Sequence, residues 1–302
     1  MTPLLSWLTA VLVGVAPPPP GRTRELSTRD RELLAVCQTD QFRRVDVRIA
    51  SIVEWRERRG RPYRTIPPDA SLPEGHIAFT FDDGPDERAT PKIRALLAAC
   101  GVYGHFFIPG TRVGGPKARW AIAELKGLLA EGHIIGTHSA THPSFTRGVV
   151  TSRDRRRELD RGREALEATL DIHPVLFRLP YGEGHWDSEV LFEISRAGLV
   201  DLHWNITSDD AKDKAPKEPG FQGLTADEVL ARIERSLDFS RRPGERLGHG
   251  VLVVHDTNYR IAALLPTLLN RLVTRGYTFV RFVGPLVEGR DAEEDTGVPR
   301  RD

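Results

Sequence analysis

From residue 76 onward the chain repeats one pattern: a short, continuously apolar run rich in β-formers, then a segment whose apolar residues recur at helical spacing. The apolar runs fall at 77–81, 105–108, 134–137, 176–179, 199–204, 251–254 and 278–282. Helical periodicity occupies 91–99, 116–130, 152–170, 188–197, 226–239 and 261–275. Pro91 and Pro116 suit first-turn positions, and Gly101, Gly132, Gly198 and Gly276 stand where helices should stop. A strand apolar on both faces is covered on both faces, so this alternation means an α/β fold with a parallel sheet under helices. Seven units fit a barrel or a doubly wound sheet, and either places chemistry at the C-terminal ends of the strands.

Composition narrows the partners. The 43 basic and 42 acidic residues leave a net charge of +1, which gives no electrostatic case for nucleic acid or an anionic membrane surface. Two cysteines, Cys37 and Cys100, exclude a thiolate-built metal site and leave their own pairing open. The apolar segment 4–16, followed by Pro17 to Pro20, has the length of a signal-peptide core and is short for a membrane span. Export to the envelope, periplasm or medium is the expectation, with an uncleaved anchor as the alternative and no other transmembrane segment. The chain then divides into a 1–21 signal or anchor with its proline linker, a 22–75 Arg-rich accessory region, a 76–285 catalytic domain and a 286–302 polar tail. Within 22–75, residues 32–36 and 45–55 can each form a short element, and 209–220 and 240–250 read as loops.

Five polar clusters stand just after apolar runs. In the first, Thr80-Phe81-Asp82-Asp83-Gly84-Pro85, adjacent carboxylates disfavour joint ionisation unless a metal takes one and the other is left as a base. In the second, His138-Ser139-Ala140-Thr141-His142-Pro143, two imidazoles four residues apart can converge on one ion if the segment is a helical turn. Two nitrogens and one carboxylate leave coordination positions open, as a catalytic zinc site requires. The third is Arg178-Leu179-Pro180-Tyr181-Gly182, whose Arg can clamp a carboxylate and whose backbone past Pro180 can offer an oxyanion donor. The fourth is Trp204 with Asp209-Asp210, and the fifth is Val253-Val254-His255-Asp256, a His beside a carboxylate as in a general acid.

Together, over residues 76–283, these clusters resemble the polysaccharide deacetylase (NodB homology) family of carbohydrate esterases. The resemblance implies a distorted, incomplete (β/α)7-type barrel with a short N-terminal extension. It implies hydrolysis of N-acetyl groups on amino-sugar residues of a polysaccharide such as peptidoglycan or chitin-like oligomers. Asp82 becomes the general base for the attacking water. Asp83, His138 and His142 become ligands of a divalent metal, zinc first and cobalt as its substitute. Arg178 tunes Asp82, the Tyr181 N–H helps hold the oxyanion, His255 protonates the departing amine and Asp210 pairs with it. Trp204, Val253, Pro180 and His185 become substrate-binding. His76, His133, His173, His203 and His249 read as structural, while His185 and Trp186 lie in a loop that borders the cleft and can contact a sugar ring, with loop packing as the alternative.

The chain departs from the family pattern in places. Ala211 stands where an aromatic usually follows the fourth-cluster Asp, Thr207 replaces a carboxylate, and His105 replaces a small hydroxylated residue. Asp209 beside Asp210 leaves the relay ambiguous by one position. The competing readings are an O-acetyl esterase on xylan or exopolysaccharide, a non-catalytic glycan-binding relative, and a metal-dependent hydrolase of small cyclic or formylated amides.

Overall fold

The computed structural model describes residues 26–213 and 224–286. The expected signal segment 1–21, the tail beyond 286 and the second half of the 209–220 loop lie outside the described residues. The N-terminal part contains helix α1 (Thr28–Leu34), strand β1 (Arg43–Arg48) and a hairpin of β2 (Glu54–Arg58) and β3 (Arg61–Thr65). The alternating region begins with β4 (His76–Asp82), α2 (Thr90–Cys100), β5 (Gly104–Ile108), the single turn α3 (Thr111–Gly114), α4 (Ala118–Ala130) and β6 (Ile134–Thr137). It continues through α5 (Ser152–Leu170), β7 (Leu176–Phe177), α6 (Ser188–Arg196), β8 (Val200–Asp201) and β9 (Ile206–Thr207). It ends with α7 (Ala226–Phe239), β10 (Gly250–His255), α8 (Tyr259–Thr274) and β11 (Thr278–Val283).

Every pairing in the main sheet is parallel. The order β9-β10-β4-β5-β6-β7-β8 forms a curled half-barrel of seven strands. Its two ends, β8 and β9, follow each other in sequence without pairing among the described residues, so the barrel stays open. Membership differs from the sequence pattern in one place. The run at 278–282, read as a barrel strand, pairs only with the first two residues of β4 and otherwise with β1. The seventh place belongs to β9, whose two residues are too few to register as an apolar run.

Strand parity then decides which side chains face inward. Ile77, Phe79 and Phe81 of β4 join the core under the helices, as do Phe106 and Ile108 of β5 and Leu252 and Val254 of β10. The alternate residues Ala78, Phe107, Leu176, Val200 and Val251 pack into a second core inside the arc. Counting by two from those inner positions carries Asp82, Arg178, Val253 and His255 to its C-terminal mouth. The inner core also takes Ile49, Ile52, Ile66, Ala70 and Leu72 from the N-terminal part, and Val280 and Phe282 of β11. His105 points inward from β5 and is saturated: its Nδ1–H donates to the Phe79 carbonyl and its Nε2 accepts the Phe282 N–H, both at 2.9 Å.

Two local features were not legible beforehand. Arg59 and Gly60, at φ 54° and 73°, make the left-handed turn of the β2–β3 hairpin. A disulfide joins Cys37, just past α1, to Cys100 at the end of α2, across 63 residues of sequence.

Candidate active site

The mouth of the half-barrel holds a cavity of about 390 Å³ lined by Asp82, Asp83, His138, His142, Tyr181, Trp204, Thr207, Asp209, Asp210, Ala211, Val253 and His255. All five sequence clusters meet there, the third through Tyr181, and its Arg178 lies just behind the wall. Pro180 and His185 are not among the lining residues.

Asp82 ends β4 with 3% exposure. One residue on, Asp83 takes φ 73°, its N–H donating to the Phe107 carbonyl at 3.2 Å, so the second carboxylate turns out of strand parity. Gly84 permits this turn because a Cβ there would overlap the buried Asp256 carboxylate. Burial pushes the Asp256 carboxyl up to about 7, while Thr90 Oγ1 donates to it at 2.6 Å.

Residues 138–142 are not the helical turn expected from the spacing; Ser139 and His142 have positive φ in irregular backbone. The imidazoles converge because that loop is held from several sides. His138 N–H donates to the Ile108 carbonyl at 3.0 Å, Thr141 N–H to Glu158 Oε2 at 2.8 Å and His142 N–H to Ser139 Oγ at 2.9 Å. Gly162 of α5 lets this backbone come close, since a Cβ there would overlap Ser139 and Ala140.

The donor atoms fit a divalent cation. Asp83 Oδ1 lies 3.1 Å from His142 Nε2 and 3.6 Å from His138 Nε2. The two imidazole planes meet at 68° with centroids 4.7 Å apart, so their lone pairs can point to one place. His138 Nδ1–H donates to the Arg178 carbonyl at 2.7 Å, which fixes the tautomer that presents Nε2 as a ligand. Burial lowers the His138 imidazole to about 4 and keeps it neutral, the form a metal needs.

Arg178 is wholly buried. Its Nη1–H groups donate to Asp82 Oδ1 at 3.1 Å and, at shorter range, to Thr80 Oγ1; its Nε–H donates to the Leu202 carbonyl at 2.8 Å. The guanidinium lies 4.3 Å over the Phe107 ring. Burial pulls its basicity down and Asp82 opposes that. A donor so placed pairs with the Asp82 carboxylate and fixes its orientation. Thr80 opens the first cluster but carries no assigned role in the sequence, although its place two residues before Asp82 on the same face is a usable signal.

Opposite, His255 Nδ1–H donates to Asp210 Oδ1 at 2.9 Å, and the His255 N–H donates to Asp210 Oδ2 at 3.1 Å. Ser208 Oγ supports Asp210 at 2.5 Å, and it too was not anticipated. Asp209 instead takes Arg232 at 2.8 Å, which resolves the one-position ambiguity. Tyr181 sits at φ 62°, 63% exposed, its ring 4.7 Å from that of His142.

A second group, His185, Asp201 and His203, also brings ligand atoms within 4.8 Å of one another. Its imidazoles stack at 4.0 Å and 11°, so their lone pairs run side by side without converging. Asp201 is occupied by His185 Nδ1–H at 2.7 Å and the Leu179 N–H at 3.0 Å. This geometry is structural, unlike that of the first group.

Residues 69–201 match the family model described as polysaccharide deacetylase. The chain is 28% identical over 240 residues to a peptidoglycan-N-acetylglucosamine deacetylase of Listeria monocytogenes, covering 79% of this chain and 45% of that relative. It thus spans under half the length of that protein. It is 30% identical over 180 residues to a chitooligosaccharide deacetylase of Bradyrhizobium, covering 60% of this chain and 70% of the relative. A solved peptidoglycan deacetylase of Bdellovibrio bacteriovorus shares the fold with a TM-score of 0.62 at 24% identity, over 87% of this chain and 65% of that one.

Proposed function

The chain belongs to the polysaccharide deacetylase family, and from that premise we propose that it hydrolyses N-acetyl groups on amino-sugar residues of a peptidoglycan or chitin-like glycan. The observation that carries the reading is the convergence of Asp83, His138 and His142 beside an Asp82 held by a buried Arg178, with the His255–Asp210 pair on the same cavity. The printed names of the relatives support the substrate class.

Asp83, His138 and His142 would hold a divalent metal, and the two-nitrogen, one-oxygen donor set suits zinc. Such an ion polarises an acetyl carbonyl and lowers the pKa of a water. The chain's own residues supply the proton transfers. Asp82, oriented by Arg178, takes a proton from the attacking water. The Tyr181 N–H donates to the developing oxyanion. Asp210 fixes the His255 tautomer, assigning Nε2 to protonate the departing amine. Trp204 and Val253 bound the acetyl methyl.

The Cys37–Cys100 disulfide supports an oxidising compartment and so export. No helix among the described residues is long and apolar enough to cross a membrane. The test is acetate release across a panel of N- and O-acetylated glycans with added zinc or cobalt. Release from N-acetylglucosamine oligomers is expected. Bound metal with no acetate from any glycan contradicts the proposal, and release from xylan alone makes the chain an O-acetyl esterase.

A further inference from the structure

The loop that follows Tyr181 carries a feature the proposed chemistry leaves unused. Trp186 is 76% exposed, and among the described large apolar residues only Phe239 is more so. A lone exposed aromatic is ordinary. This one is the outer end of a row of four rings. Its ring meets that of His185 edge-on at 4.5 Å, His185 stacks on His203 at 4.0 Å, and His203 stacks on Trp204 at 4.3 Å. Trp204 lines the cavity, so the row runs from the wall of the site to open surface.

The row is firmly seated. His185 is 3% exposed and bonded to a fully buried Asp201. Gly182, at φ 68°, brings the loop against Trp204 and His203, where a Cβ would overlap both rings. Beyond Trp186, the Asp187 side chain caps α6 by accepting the Glu189 N–H at 2.9 Å, and the Asp187 N–H returns to the Gly184 carbonyl at 2.9 Å. Trp186 therefore projects from a fixed base, so that the loop backbone has little conformational entropy left to lose on binding. The carboxylates of Glu183, Asp187 and Glu189 neighbour it in sequence, and among the described residues the exposed large apolar residue next to it along the chain is Tyr181, five positions earlier. A single flat ring on a polar segment, whose Glu183 and Glu189 carboxylates pair with Arg147 and Arg61, suits a sugar, which has an apolar C–H face and a polar rim, better than a protein surface.

We infer that Trp186 is the stacking platform of a second sugar subsite, taking a pyranose ring of the same glycan chain whose neighbouring unit occupies the cavity. The inference rests on the glycan reading above and deepens it. His185, assigned to substrate by the sequence, becomes the buried support of the residue that makes the contact.

The test is calorimetric binding of N-acetylglucosamine oligomers from the monomer to the hexamer, to the native protein and to Trp186→Ala and Trp186→Tyr, alongside acetate release. Affinity in the native protein is expected to rise with oligomer length. Trp186→Ala should remove that gain, costing about tenfold on the long oligomers, leave the monomer unchanged and leave kcat unchanged. Trp186→Tyr should restore most of the loss. The same length dependence in Trp186→Ala as in the native protein overturns the subsite, even where acetate release stands. An equal loss at every length also overturns it, by making Trp186 a scaffold of the loop. Length-dependent binding that needs Trp186, without acetate release, sustains the subsite and overturns the catalytic reading instead. Failure of the native protein to bind any oligomer overturns both.

Discussion

At Asp82 two demands meet in one side chain: inward strand parity, and a buried guanidinium 3.1 Å away. Asp82→Asn removes the proposed base and no proposed ligand, so metal content should persist while acetate release falls to background. Metal analysis and an acetate assay on one preparation check this, and a retained rate would assign the base elsewhere. His255→Ala should lower kcat by about 10²–10⁴, the range for a positioned general acid, with an unchanged rate removing His255 from the chemistry. His105 carries a prediction of a different kind. Burial holds its imidazole at about 4, against 6.5 unperturbed. Between those values the unfolded chain binds the proton and the folded chain does not. Stability from this residue is therefore complete above pH 6.5 and declines as pH falls toward 4, by up to about 1.4 kcal/mol per pH unit. In His105→Gln, which can keep one donor and one acceptor, thermal stability should depend less steeply on pH over that window. Calorimetry at a series of pH values reads the slope, and an identical slope would mean that His105 ionises as readily folded as unfolded.

At the scale of elements, the periodic helices and the apolar runs of β4, β5, β6 and β10 are legible in the sequence, and the two-residue strand β9 is not. The helical spacings place α5 and α7 at their observed bounds, and the 134–137 run is β6 to the residue. A two-residue strand such as β9 has no period to detect. The loop at residues 138–142 shows the same limit from another side. His-x-x-x-His spacing points to convergence, but it cannot tell a helical turn from a loop pinned by Glu158, Ser139 and the bare backbone of Gly162. Gly162→Ala should therefore act at a distance. Its methyl displaces the ligand loop, lowering metal affinity at a stability cost of about 1–3 kcal/mol. Metal titration and denaturant unfolding would show it, and a variant with native affinity would mean that the loop tolerates the shift. The disulfide binds α1 to α2 across 63 residues. In the chain-entropy model a closed loop of that size contributes about 4 kcal/mol, so Cys37→Ser with Cys100→Ser should lower the unfolding midpoint in denaturant. No change would show that the helix-side core alone fixes α1.

Over the whole molecule, the site is a consequence of parallel strands ending together. Parity aims Asp82, Arg178, Val253 and His255 into one mouth, which is why clusters spread over residues 80–256 are legible in the sequence as one site. Much of the second layer is not legible because it depends on which neighbour fills which gap. Ser208 behind Asp210 and the ring row behind Trp186 carry no spacing of their own, whereas Thr80 shares the strand parity of Asp82. All of the proposed chemistry depends on Asp83, His138 and His142 sharing one ion. The most direct test is metal stoichiometry on the native protein and His142→Ala, with acetate release before and after chelation. One equivalent of zinc is expected in the native protein, with activity lost on chelation and restored by zinc, and neither metal nor activity in the variant. Undiminished acetate release from chelated protein, or a full equivalent of metal in His142→Ala, would contradict it.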